Sequence, residues 1–272
     1  MVPPVRGHAG GPPGVELATD GGRRVPGRRG GPGSSVEPVT DPTRDSSVPS
    51  ASSVPSASPE LASPVSTVDS GLDLAAWRRT IHGLYRQVRE ATDLAAAHDL
   101  WRRTRDELFA TNPVTPLLPE DRPVFTGLPT APYDPAWRFE VPITPAEPHR
   151  MTVTTGTDGD VPFDRVGLVD VPGVGSLDVW RLRSYGGGLF VPVGDALAGK
   201  PGGTYGGGRY LVDTVKGADL GPGSEPGSIV LDFNFAYNPS CAYDPAWACP
   251  LAQPGNRVAV EIPVGERYHG AH

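Results

Sequence analysis

Residues 166–193 read VGLVDVPGVGSLDVWRLRSYGGGLFVPV. Three apolar runs rich in Val and Leu, residues 166–171, 177–182 and 189–193, are separated by Pro-Gly and Gly-Gly-Gly punctuation. Such runs, bounded by turn formers, predict short strands. Moving outward, residues 151–154, 209–215, 229–235 and 257–264 have the same character, with Gly, Pro or Asp in each gap. Short strands at this spacing, with no helical period between them, imply antiparallel pairing.

Toward the N-terminus the period changes. Trp77, Ile81, Leu84, Tyr85 and Val88 recur at helical spacing, with Arg78, Arg79, Arg86 and Arg89 on the other face. Leu94, Ala97, Trp101 and Leu108 form a second stripe, which stops at Thr111-Asn112-Pro113. Acidic residues mixed among the arginines of the polar faces (Glu90, Asp93, Asp99, Asp106, Glu107) argue against a membrane-surface helix. The expected fold is mainly β. It is an antiparallel β-sandwich or partly closed barrel over residues 113–272 with an N-terminal two-helix cap over residues 70–112. Residues 70–272 are expected to form one folded unit.

Residues 1–69 hold 10 Gly, 12 Pro and no Phe, Trp or Tyr, and SVPSAS occurs twice in tandem at 47–58. That composition cannot bury enough apolar surface to offset the entropy of ordering, so a disordered tail is expected. Its Arg23-Arg24 and Arg28-Arg29 pairs read as part of a solvated linker.

The whole chain carries 24 basic against 31 acidic side chains, a formal charge of −7. A nucleic-acid partner is therefore not expected. No apolar run reaches membrane-spanning length and no secretory signal opens the chain, so a cytoplasmic location without a membrane partner is expected. Cys241 and Cys249 are then free thiols. Eight residues apart and without a nearby His, they do not make a zinc site, and no metal site is expected. Residues 194–200, GDALAGK, imitate a phosphate loop, but Pro201 stands where the hydroxyl belongs and Gly202-Gly203 where a helix should start.

Two stretches carry polar chemistry. Residues 204–210, TYGGGRY, place three glycines before Arg209, suiting either a close backbone approach or an anion cradle. Residues 231–235, LDFNF, alternate, placing Asp232 and Asn234 on one face. If the two strands pair, Arg209 meets Asp232. The pentapeptide YDPAW, at 133–137 and 243–247, reads as a repeated Asp-Pro turn.

A longer pattern runs from Phe190-Val191-Pro192 and Asp195 through Gly208-Arg209-Tyr210-Leu211. It continues in residues 231–243, LDFNFAYNPSCAY, and then Cys249-Pro250, Asn256 and Gly265-Glu266. In this pattern the sequence resembles the bacterial and archaeal family catalogued as domain of unknown function 1684, over roughly residues 77–266. Val193 stands where that family usually has Phe, and the family usually has a Thr or Ser near the position of Ala196. The resemblance implies shared polar positions and names no activity.

An Arg, several carboxylates, phenols and few histidines suit recognition of a small polar or anionic molecule. Arg209, Asp232, Asn234 and Tyr237 are the expected convergent groups, with Tyr205, Asp195 and Glu266 beside them. A hydrolase or lyase using paired carboxylates, or a hard cation held by Asp195, Asp232, Asn234 and Glu266, is the second expectation. A protein-interaction module tethered by the tail is the third. No motif assigns catalytic residues, a cofactor or an oligomeric state.

Overall fold

Two helices precede the sheets. The computed structural model describes residues 64–155 and 159–268, all within one compact unit, Pro59–His272. The disordered tail expected over residues 1–69 lies outside the described residues as far as residue 63. α1, Pro64–Glu90, takes in residues 64–69, which composition had assigned to the tail. α2, Leu94–Thr111, starts where the Asp93 carboxylate accepts the Ala96 N–H at 3.0 Å, satisfying a donor that the first helical turn leaves free. Leu84, Tyr85 and Val88 of α1 and Ala97 and Trp101 of α2 share an apolar cluster with Ala218, Leu220, Val230 and Phe235. The Trp101 indole N–H donates to the Tyr85 hydroxyl at 3.1 Å inside it.

Seven strands follow among the described residues: β1 Arg138–Pro142, β2 Arg150–Thr155, β3 Gly159–Val171, β4 Gly175–Leu182, β5 Gly188–Val193, β6 Arg209–Asp213 and β7 Ser228–Asp232. β2 to β6 form a five-stranded antiparallel meander in sequence order. β1 pairs with β7 in a separate two-stranded sheet. The sheets do not close into a barrel among the described residues. Val169, Leu177, Val179, Val191, Leu211, Leu231 and Ile262 pack in the main core.

Three strand expectations change. β1 has no counterpart in the sequence reading; Glu140 and Pro142 interrupt its apolar pattern and hid it. The strand expected over residues 229–235 ends at Asp232. There the Asp232 carboxylate accepts the Asn234 N–H at 3.1 Å and turns Phe233–Phe235 into a 3-10 turn, because a short side-chain acceptor competes with the ladder. The strand expected over residues 257–264 is absent. Its backbone is held instead by single contacts, Val258 N–H to Gly194 O at 2.8 Å and Ala196 N–H to Val260 O at 2.9 Å. The phosphate-loop look-alike is a turn closed by Gly199 N–H to Thr204 O at 2.9 Å, and Lys200 faces Glu261 at 3.6 Å.

Candidate functional site

Arg209 and Asp232 do not meet, since β6 and β7 belong to different sheets. Gly208 has φ +90°, and a side chain there would approach Ala252 Cβ to 2.7 Å; the glycine lets β6 start against that loop. The next residue, Arg209, is 1% exposed. Its Nη2 donates to Asp195 Oδ2 at 2.7 Å and to Ile262 O at 3.2 Å, and its Nη1 donates to Glu266 O at 3.1 Å and to Val264 O. Burial pulls the guanidinium down to about 10, and the Asp195 charge opposes that shift. Asp195 Oδ1 in turn accepts Thr204 Oγ1 at 2.7 Å and Leu197 N at 2.9 Å. Arg209 thus stitches the C-terminal segment to the meander.

Asp232 and Asn234 make a second knot. Asp232 accepts Asn234 Nδ2 at 2.7 Å and faces Arg138 at 3.4 Å. Asn234 also accepts the Asp134 N–H and donates to the Asp134 carbonyl, both at 2.8 Å, fastening the first Asp-Pro turn. Asp134 caps that turn through the Ala136 N–H at 2.9 Å. In the second pentapeptide Asp244 accepts the Ala246 N–H at 2.8 Å in the same way.

His98 on α2, 2% exposed, lies with Nε2 3.0 Å from the Asn234 carbonyl. The neutral ring donates there, and burial holds its pKa below the ordinary 6.5. The unfolded chain takes up a proton near the ordinary value and the folded one only below it. This contribution to stability is therefore complete above about pH 6.5 and is lost as pH falls toward the folded value. His98→Gln is expected to flatten the fall in melting temperature between about pH 7.5 and pH 5.5 relative to wild type. Parallel pH profiles of the two proteins would refute this.

Glu266 is 0% exposed. Its carboxylate accepts Arg105 Nη2 at 2.7 Å, the Asn238 N–H and Nδ2 at 3.1 Å each, and the Tyr243 hydroxyl. Burial raises its pKa and Arg105 opposes that. Arg105 is 5% exposed and wedged by aromatic rings, 4.5 Å from the Trp101 centroid and 5.3 Å from that of Tyr237. Of the seven residues expected at a site, Arg209, Asp195 and Glu266 join one buried network, and Asp232 and Asn234 join another. Tyr205 places its hydroxyl 3.3 Å from the Cys241 carbonyl.

Tyr237 alone among the seven lines a cavity of about 80 Å³ between the helix pair and the segments that follow β6 and β7. Trp77, Ile81, Tyr85, Phe109 and Pro116 make its apolar wall, and Arg78 and Lys216 add positive charge. Among the described residues three buried side-chain atoms have no hydrogen-bond partner, Arg105 Nη1, Tyr237 Oη and Asn238 Oδ1, and all three residues line this cavity. No Asp or Glu lines the cavity. Among the described residues no group of three His, Cys, Asp or Glu side chains gathers as metal ligands, and no helix is long and apolar enough to cross a membrane.

Sequence reasoning missed Arg105. The signal was present: four residues after Trp101 and eight after Ala97, it falls in the middle of the buried stripe of α2. A charge in an apolar stripe requires a buried partner.

Among solved structures, the chain is similar to the solution NMR structure of the uncharacterized protein from gene locus rrnAC0354 of Haloarcula marismortui. The two are 33% identical over 64% of this chain and 94% of that one, with a TM-score of 0.46. A comparison with curated proteins finds no match. The family described as "Protein of unknown function (DUF1684)" matches residues 123–267, just over half of the chain. The chain belongs to that family.

Proposed function

We propose that this protein binds a small organic anion in the cavity between the helix pair and the segments that follow β6 and β7. The observation that carries this reading is that Arg105, Tyr237 and Asn238 all line this cavity and each holds a buried side-chain atom without a hydrogen-bond partner: the Arg105 Nη1 donor, the Tyr237 hydroxyl and the Asn238 Oδ1 acceptor. A buried polar group left unpaired costs about 1–3 kcal/mol, so three on residues that line one small cavity favour a guest there. Two donors beside two further cations suit a carboxylate, and the acceptor suits a hydroxyl or amide N–H on the same molecule. A volume of about 80 Å³ suits a short hydroxy or amido acid. On the same reading the two sheets are the layers of a sandwich, the helix pair caps them over the Trp101 and Phe235 cluster, and the protein acts in the cytoplasm.

Tyr237→Phe tests this cleanly. Removing a hydroxyl that has no partner among the described residues is expected to raise stability by about 1 kcal/mol. It is also expected to weaken carboxylate binding about five- to thirtyfold. The measurement is thermal denaturation with acetate, glycolate, lactate or phosphate, followed by calorimetric titration of whichever stabilises most. The reading fails if no carboxylate shifts the wild-type transition, or if Tyr237→Phe binds as wild type does.

A further inference from the structure

Val161 and Phe163, two residues apart on β3, share one face of the meander. The register puts Val153 of β2 opposite Val161, and Leu182 of β4 opposite Phe163. Phe163 packs with Phe190 and Tyr210, while Val153, Val161 and Leu182 are only half-buried. Together with Phe190 these side chains floor a trough of about 380 Å³. The trough shares Lys216, Ala248 and Pro250 with a groove of about 470 Å³. That groove shares Arg78, Lys216 and Ser240 with the anion cavity. Lys216 therefore lines all three. A row of aromatic rings joins the cavity to the trough: Tyr237, Tyr210, Phe190 and Phe163, with successive centroids 5.6, 4.8 and 5.5 Å apart. The Lys216 ammonium lies over the middle of that row, 5.5 Å from the Tyr210 centroid. Two exposed aromatic side chains line the outer hollows, Trp247 the groove and Tyr185 the trough.

Charge is distributed unevenly along this path. The anion cavity is lined by Arg78, Arg105 and Lys216 and by no carboxylate. The trough carries the Asp160 and Asp213 carboxylates. Asp213 faces Lys216 at 3.8 Å, and Asp160 accepts the Thr154 hydroxyl at 2.7 Å. An acid is therefore drawn to the inner end and repelled from the outer one, while the apolar floor of the trough favours hydrocarbon. We propose that the ligand is an N-acyl amino acid, with its carboxylate and amide in the anion cavity and its acyl chain running past Lys216 through the groove into the trough. The carboxylate suits the Arg105 and Tyr237 donors, and the amide N–H suits the Asn238 acceptor. Lys216 and Ser240, at the passage between cavity and groove, suit the amide carbonyl. Burial of the chain over Val153, Val161 and Leu182 supplies affinity that the small head alone lacks. This inference rests on the anion reading of the cavity and adds the class of molecule that carries the anion.

The test is calorimetric titration of the full chain with N-acetylglycine, N-butanoylglycine, N-hexanoylglycine and N-octanoylglycine. Affinity is expected to rise roughly two- to fourfold for each added methylene. The methyl ester of N-octanoylglycine keeps the chain and loses the charge, and is expected to bind at least about tenfold more weakly than the acid. Two variants separate head from tail, with melting curves to report folding. Tyr237→Phe is expected to weaken every acid in the series by the same factor and leave the dependence on chain length unchanged. Leu182→Asp is expected to bind N-acetylglycine as wild type does and to lose the dependence on chain length. The wild-type series needs no variant. If wild type binds N-acetylglycine but gains nothing from longer chains, this inference falls and the anion reading stands. If it binds no member of the series, both fall. An ester that binds as tightly as its acid overturns the placement of the head. A folded Leu182→Asp with the wild-type dependence on chain length overturns the placement of the tail.

Discussion

Arg209→Ala is expected to destabilise the protein by about 3–5 kcal/mol, because it strands a buried carboxylate. Arg209 and Asp195 are each 1% exposed at the side chain, 2.7 Å apart. Removing the guanidinium also frees the carbonyls of Ile262, Val264 and Glu266. In a domain of this size the melting temperature should fall by about 10–15 °C. The companion experiment is the double variant Arg209→Met, Asp195→Asn. With neither charge left buried it should recover part of the loss and melt above Arg209→Ala. A surface ligand-binding arginine would behave differently: its removal would shift stability by no more than about 0.5 kcal/mol. Chemical denaturation of the three proteins separates these cases.

Glu266→Ala is expected to be of similar size, about 3–5 kcal/mol, for a different reason. One carboxylate serves donors from three residues drawn from α2 and from the segment after β7: Arg105, Asn238 and Tyr243. Its loss leaves the Arg105 charge buried against Trp101 with both terminal nitrogens unpaired. Glu266→Gln keeps the volume and one acceptor oxygen, and should cost less than Glu266→Ala. Equal melting temperatures for wild type and Glu266→Ala would show that Arg105 does not need this partner. If Arg105 also serves the anion cavity, Glu266→Ala should lose carboxylate binding together with stability. Tyr237→Phe should lose binding alone.

The helices were legible because each is a local pattern. Trp77, Ile81, Leu84, Tyr85 and Val88 lie on one face of α1 whatever packs against it, and Leu84, Tyr85 and Val88 are buried as that pattern requires. The central strands were legible for the same reason. Residues 177–182 and 189–193 lie within β4 and β5. Asp232 and Asn234 were correctly read as adjacent polar groups, but alternation alone implied a strand where Asp232 folds a turn. A hydrogen bond from carboxylate to backbone two residues on leaves no periodic trace.

By itself the sequence determined the mainly β antiparallel class, the two helices, the repeated Asp-Pro turn and the family, since all four are written in neighbouring residues. Only the tertiary structure decided which polar residues are partners. Arg209 and Asp232, twenty-three positions apart in a suggestive pattern, are separated by sheet membership. Arg105 and Glu266, 161 positions apart, share a hydrogen bond of 2.7 Å. Burial makes the difference: a charge taken out of water must find its partner wherever the fold brings one, and sequence distance places no bound on where that is.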